Sequence, residues 1–399
     1  MGYIMQAYDQ YLPLPEDDLL LPNYIMAIVL NGVRPEVVDK VWGWIEGPPA
    51  SGKTEAAMTL YDYPKTLYRD DFTAAGLVSS YVDPHDPDKD VSALAEAQDK
   101  CMVIKDIAAI KTRDDKEVRK LAGEWASIFD GCYNKHGGIG GNREYQVRMG
   151  FLIATIPLAD NIKRMFQAIG ERFVSFKTSR LTPTREERLK RIQRAMAASR
   201  DKEKWRAALK ATCQTYLSRA ESFLHRHYQD FNVPPCRLRR VSELGDLLAR
   251  VRTAPLKGLP APPECGNRIA LQLQTLGVVH GLLCSRTKWG PDDDRLVWRV
   301  SYDTLPPISS HLLLFLFQHR NPCTLRELTE ALSGKIPAPE VSITLHQFLR
   351  SDLVSLIGKR SSRRWRLSRD TVDQIVSSGI LYGAPGSESE KPHNNAKKT

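Results

Sequence analysis

Apolar residues in the first half of the chain come in short runs separated by polar and glycine-containing stretches. Residues 41–45, 102–104 and 151–155 are such runs. Continuous rather than alternating apolar character predicts strands covered on both faces. The stretches between them are compatible with helices, so residues 41–180 are expected to form an α/β domain. Residues 1–40 read as a leader with a short helix near 24–30. Residues 181–304 are expected to form a helical lid and linker region, with no strand signals over 181–250. They are rich in Arg, Lys, Glu and Ala up to about 250, punctuated by Pro255, Pro260, Pro262 and Pro263, and followed by a helix over 268–283. Residues 305–370 predict three helices (310–318, 324–332 and 338–349) and a basic strand. Residues 371–399, dominated from Gly383 onward by Gly, Ser, Glu, Lys and Asn, are expected to be mostly disordered.

The first of these strands runs into Gly47-Pro48-Pro49-Ala50-Ser51-Gly52-Lys53-Thr54, and a helix is expected to follow over 54–61. Strand, G-x-x-x-x-G-K-T and helix in this order form a P-loop. The glycines let the backbone curl until its N–H groups face phosphate oxygens. The helix start favours negative charge. Lys53 is placed to reach the β- and γ-phosphates of ATP or a related nucleotide, and Thr54 to hold Mg²⁺. A second acid is needed at the end of a neighbouring strand, and Asp106, closing the run 101–106, is expected to complete the Mg²⁺ site. Ile107 follows it, where many ATPases of this type carry a catalytic Glu. Glu124 and Asp130 are the candidate acids to activate water in its place.

Charge changes the picture. The 399 residues carry a formal net charge of +10, with a pI near 9.2, which points to an acidic partner and above all to nucleic acid. The seven cysteines are scattered without a C-x-x-C pair, which argues against zinc and for reduced thiols. The start carries Asp9 and no basic segment, unlike a signal peptide. Gln6 stands where a myristoylation site needs Ser or Thr. The apolar stretch 19–33 is interrupted by Pro22, Asn23 and Asn31, so no membrane span and a cytoplasmic location are expected. Thr324 with Glu327 is a capping box at the second C-terminal helix. Beyond the third, Lys359, Arg360, Arg363, Arg364 and Arg366 surround Trp365. Helices followed by a basic wing describe a winged helix, with Arg363, Arg364 and Arg366 as contacts to DNA phosphates; a protein-binding winged helix is the alternative.

In order, the chain has the glycine loop, an Asp-ended strand, the strand 151–155, and Gly170-Glu171-Arg172-Phe173. That order resembles AAA+ ATPases. The likeness is to those of phages and other mobile elements, related to the minichromosome-maintenance helicases. Phe72-Thr73 leading to Leu77-Val78-Ser79, Ile104-Lys105-Asp106, Phe129-Asp130-Gly131 and Ala168 to Phe173 carry it. Pro263-Glu264, Asn267-Arg268 and Tyr302 to Pro306 extend it over roughly 40–370. The resemblance implies that Thr155 is the sensor residue at the γ-phosphate. It makes Arg172 an arginine finger acting on the next subunit's nucleotide, and Arg268 a second sensor in a helical lid. It also implies a homo-oligomeric ring, a hexamer by the family's habit. The glycine-rich stretch 133–143 would be a hairpin gripping DNA through Lys135 and Arg143. Two functions remain open on these grounds: a helicase-like motor of a mobile element, and an ATP-controlled DNA-binding switch that hydrolyses slowly.

Overall fold

The computed structural model of the chain describes residues 2–12, 14–70, 92–105, 107, 113–137, 141–157, 166, 172–180, 184–252, 265–332, 336–358 and 363–385. Seven strands occupy the first half: β1 (Trp42–Glu46), β2 (Thr66–Arg69), β3 (Cys101–Ile104), β4 (Cys132–Gly137), β5 (Gly141–Gln146), β6 (Gly150–Thr155) and β7 (Phe173–Lys177). Five form one sheet in the order β2-β3-β6-β1-β7, with every pair parallel. The molecule is therefore α/β. β4 and β5 stand apart as an antiparallel hairpin.

Alternate residues of the central strands feed two separate cores. Ile45, Val103, Leu152, Ala154, Val174 and Phe176 share one cluster with the N-terminal helices. Trp42, Trp44, Met102, Ile104, Phe151, Ile153 and Phe173 share the other. This is the period of two expected of a sheet, and burial on both sides is why those runs are continuously apolar. The second core is aromatic: Phe151 lies 5.1 Å from both Trp42 and Trp125 by ring centroids.

The N-terminal segment departs most from expectation. α1 (Gly2–Tyr11) and α2 (Leu21–Val33) are not a leader set apart from the core. Every residue of α2 is buried. Pro22 opens the helix, where its missing N–H costs nothing. Asn31 accepts from the Val41 N–H at 2.7 Å and donates to the Asp39 carbonyl at 2.9 Å. α2 runs antiparallel to the strands, from Asp18 beside Ser179 at the end of β7 to Gly32 against Gly150 at the start of β6.

The second face is covered by α4 (Ala93–Ala97) and α5 (Asp115–Asp130); the short α3 (Lys53–Ala57) follows β1. The next five helices are α6 (Arg185–Ala198), α7 (Lys202–His227), α8 (Pro235–Arg252), α9 (Asn267–Leu283) and α10 (Pro291–Thr304). Residues 181–304, expected as a lid and linker, behave differently. Buried side chains of α7, α8, α9 and α10 belong to the same core as α2 and the sheet. α10 covers the free edge of β7, where Thr304 and Asp303 accept from the Ser175 and Lys177 N–H groups at 2.9 and 2.8 Å. An edge strand covered in this way cannot recruit further strands.

α11 (Pro307–Gln318), α12 (Leu325–Ala331), α13 (Ala338–Arg350), β8 (Val354–Ile357), β9 (Arg364–Leu367) and α14 (Arg369–Ser378) complete the chain. The expected tail begins too early at 371. Thr371, Ile375, Ser378 and Ile380 are buried, and the Trp298 indole donates to the Ser378 carbonyl at 3.0 Å. Among the described residues, no helix is long and apolar enough to cross a membrane.

Candidate functional site

In a parallel sheet, the loops that leave the strand ends converge on one edge. Here that edge holds the loop 47–52. The Gly47 N–H donates to the Thr155 carbonyl at 3.1 Å, which brings the end of β6 against the loop. Thr178 fixes the loop from the other side, its hydroxyl 3.0 Å from the Ser51 hydroxyl. A Cβ on Gly47 would stand 1.9 Å from the Thr178 oxygen, so this approach requires glycine. Gly52 turns the chain into α3 with φ of +83°, the left-handed region. Ala50 also sits there, at +61°, a conformation that costs a non-glycine residue energy.

The first intrahelical bond of α3 runs from the Ala56 N–H to the Gly52 carbonyl at 2.9 Å. The N–H groups of Lys53, Thr54 and Glu55 therefore precede any intrahelical acceptor and point out of the helix start. The helix expected over 54–61 stops at Ala57 and tightens into a 3-10 turn at Met58–Leu60. Pro48 and Pro49 carry no N–H at all. Local N–H groups and the ammonium of Lys53, rather than a long helix dipole, are what this loop offers an anion. Lys53 is buried, and its ammonium donates to the Pro48 carbonyl at 3.1 Å, folded over the loop. Pro48, Pro49, Ala50 and Thr54 are exposed. A cavity of about 290 Å³ borders Gly47 and Pro48 and is also lined by Glu46, Lys177, Arg180 and His311. Another of about 300 Å³ lies beyond Thr54, with Lys105, Arg206 and Lys210 on its walls.

Thr155 is fully buried, and its hydroxyl donates to the Ile156 carbonyl at 2.8 Å. Asp106 lies outside the described residues. Ile107 is buried. Neither candidate acid of α5 reaches the loop. Asp130 closes the helix at the other edge of the sheet, where the Gly131 carbonyl accepts from Val147 just before β6. Glu124 is hydrogen-bonded by Tyr133 at the foot of the hairpin. Among the carboxylates near the loop is Glu46, the last residue of β1, opposite Thr155 in the β1–β6 register. It is buried and accepts from the Ser175 hydroxyl at 3.3 Å. An acid closing an apolar strand, directly before the first glycine, was the signal that could have identified it.

Arg172 precedes β7, so it lies at the edge of the sheet opposite the loop, about 15 Å away along a five-residue strand. Its guanidinium is largely buried and pairs with Asp130 at 3.1 Å, while its carbonyl accepts from Gln272 at 2.6 Å. Arg268 stands one helical turn before Gln272, on the same edge. The expected second sensor is thus not brought to the chain's own glycine loop. The hairpin rises from this edge too. Positions 135 and 143, the expected DNA contacts Lys135 and Arg143, are direct cross-strand partners.

In the C-terminal region, Thr324 and Glu327 form the expected reciprocal cap: Thr324 accepts from the Glu327 N–H at 3.2 Å, and Glu327 from the Thr324 N–H at 2.6 Å. β8 and β9 pair antiparallel after α13. Trp365 and Leu367 are buried while Arg364 and Arg366 share the outer face of β9, and Arg363, just before the strand, is also exposed. Compared with protein-family models and with curated proteins, the chain matches none.

Proposed function

We propose that the chain is a Mg²⁺-dependent ATPase of the AAA+ type that assembles into a ring, hydrolyses ATP between subunits and acts on DNA through a pore hairpin and a C-terminal winged helix. The observation that carries this reading is the division of the expected catalytic groups between opposite edges of one sheet. Lys53, Thr54 and Thr155 gather at the glycine loop, whereas Arg172 lies beyond reach of it. An arginine so placed cannot serve its own chain's nucleotide, and a finger acting in trans is the role compatible with that position.

The loop residues fit a nucleoside triphosphate. Gly47 lets the loop close against Thr178, the α3 start offers N–H donors, and the buried Lys53 ammonium lies over the loop. ATP with Mg²⁺ supplies the transferable phosphoryl group. Lys53 would neutralise its negative charge, Thr54 together with Asp106 would hold the metal ion, and Glu46, buried beside the loop, would orient and deprotonate water. The winged-helix reading rests on three helices, the two-stranded sheet and its three exposed arginines.

A slow, ATP-controlled switch is the second reading. It is favoured by Ile107 in place of an acid and by the pairing of Arg172 with Asp130, which must open before a finger can reach a neighbour. ATP turnover measured with and without single- and double-stranded DNA tests the proposal. Turnover stimulated by DNA supports it; absence of ATP binding contradicts it. Strand displacement separates motor from switch.

A further inference from the structure

Where α9 meets α10, four chemically active side chains converge. His280 is fully buried, and its Nδ1 lies 2.6 Å from Asp293 Oδ1. Asp293 is also fully buried and accepts from both Arg286 terminal nitrogens at 2.7 Å and from the Gly290 N–H at 2.7 Å. On its other side His280 Nε2 lies 3.7 Å from the sulfur of Cys284, which is partly open to solvent. Asn23, from α2, places its amide nitrogen 2.9 Å from the same Nε2, and its amide oxygen is buried with no hydrogen-bond partner among the described residues. Half a turn of that amide would let the oxygen accept from Nε2–H of a charged imidazole.

We infer that Cys284, backed by His280 and Asp293, is a nucleophilic thiolate and the site at which this chain is covalently modified by hydroperoxides. The charge balance supports it. Asp293 is held anionic by four donors and faces two cations, His280 and Arg286, so the buried group carries one positive charge that a thiolate neutralises. Burial favours the neutral imidazole, but the bond to Asp293 outweighs it and raises His280 to about 9. Burial would likewise raise the Cys284 thiol; the hydrogen bond from His280, its charge and that of Arg286 outweigh it, and the thiol is lowered. The remaining titratable group facing it, Tyr216 of α7, stays neutral because burial pushes its phenol up. By contrast, burial raises the thiols of Cys101, Cys213 and Cys323. A depressed, accessible thiolate beside a charged imidazole is the arrangement that makes cysteines reactive.

The step balances with a hydroperoxide as oxidant. The Cys284 sulfur attacks the terminal oxygen, an S–O bond forms and the O–O bond breaks. Sulfur loses two electrons and becomes the sulfenic acid, and His280 donates its Nε2 proton to the departing alkoxide or hydroxide.

The experiment is residue-resolved alkylation of the whole chain with iodoacetamide at pH 8.5 and 6.0, read by peptide mass spectrometry. A parallel exposure to hydrogen peroxide with dimedone traps sulfenic acid. An ordinary thiol with pKa of about 8.5 slows about a hundredfold over that pH range. Cys284 is expected to slow at least tenfold less than exposed Cys236 and Cys265, the internal comparisons, and to carry the main dimedone adduct. Asp293→Asn should restore the hundredfold fall at Cys284. If that variant does not fold, the wild-type pH comparison decides alone. A hundredfold fall at Cys284 in the wild type, or dimedone on Cys236 or Cys265 but not on Cys284, overturns the inference.

Discussion

The two edges of the central sheet are built differently. At the edge where the strands end, backbone dominates: a tight loop held by Gly47 N–H on Thr155, a glycine at positive φ, and one lysine folded over it. At the edge where the strands begin, side-chain contacts hold the structure, Arg172 on Asp130 and Gln272 on the Arg172 carbonyl, and the β4–β5 hairpin pairs positions 135 and 143 across its strands. One edge is a backbone turn closed over by Lys53, the other a set of buried side-chain contacts. Neither holds all the expected catalytic groups. A parallel sheet enforces this separation, because a residue preceding a strand and a loop following one cannot meet within the same chain. In the proposed ring the two edges of neighbouring chains form one site.

Substitutions at the two edges should therefore separate binding from turnover. The largest effect is expected for Lys53→Ala, which removes the cation of the loop edge; ATP hydrolysis should fall to background while the melting transition persists. Full turnover in that variant would remove the loop from the account. Glu46→Gln should keep ATP binding and slow hydrolysis by about 10²- to 10⁴-fold, the range of a lost general base; a change below threefold would return the search for that base to the residues around Asp106. Replacing Arg363, Arg364 and Arg366 with Ala should leave ATP affinity unchanged and reduce the salt slope of DNA binding by about one for each lost phosphate contact. An unaltered slope would favour a protein partner for the C-terminal region. The smallest effect is expected at the outward edge, where Asp130→Asn frees Arg172 from its partner. Turnover should stay within a few-fold of wild type or rise, whereas a catalytic Asp130 predicts a collapse.

How much of this was legible in the sequence depends on whether the signal was local. β1, β3 and β6 stood out because strands buried on both faces are apolar throughout. β2 and β7 did not: Thr66 and Arg69 are half-buried on an edge strand, and β7 carries Ser175 and Lys177, whose backbones are met by α10. The position of the glycine loop between β1 and α3 was readable, since Gly47 and Gly52 stand where the backbone needs close approach and a positive φ. α2 was misjudged because Asn23 and Asn31 resemble breaks, yet both are buried and bonded, to His280 and to Asp39 and Val41. α14 was absorbed into the tail by composition, although the Ser368 hydroxyl caps it from the Thr371 N–H at 3.3 Å. Pairs distant in sequence were beyond reach: neither Arg172 with Asp130 nor Asn23 with His280 leaves a local pattern.

The central claim is that a working site takes the glycine loop from one chain and Arg172 from another. Mixing tests it most directly. Lys53→Ala and Arg172→Ala chains are assayed separately and then combined at equal concentration, with ATP and DNA present. Arg172→Ala alone is expected to bind ATP yet lose hydrolysis on the order of 10³-fold, and Lys53→Ala alone to be inactive. In the mixture, interfaces that pair an intact loop with an intact Arg172 should restore part of the wild-type rate. No recovery on mixing, with wild-type chains hydrolysing at full rate as monomers, would contradict the account.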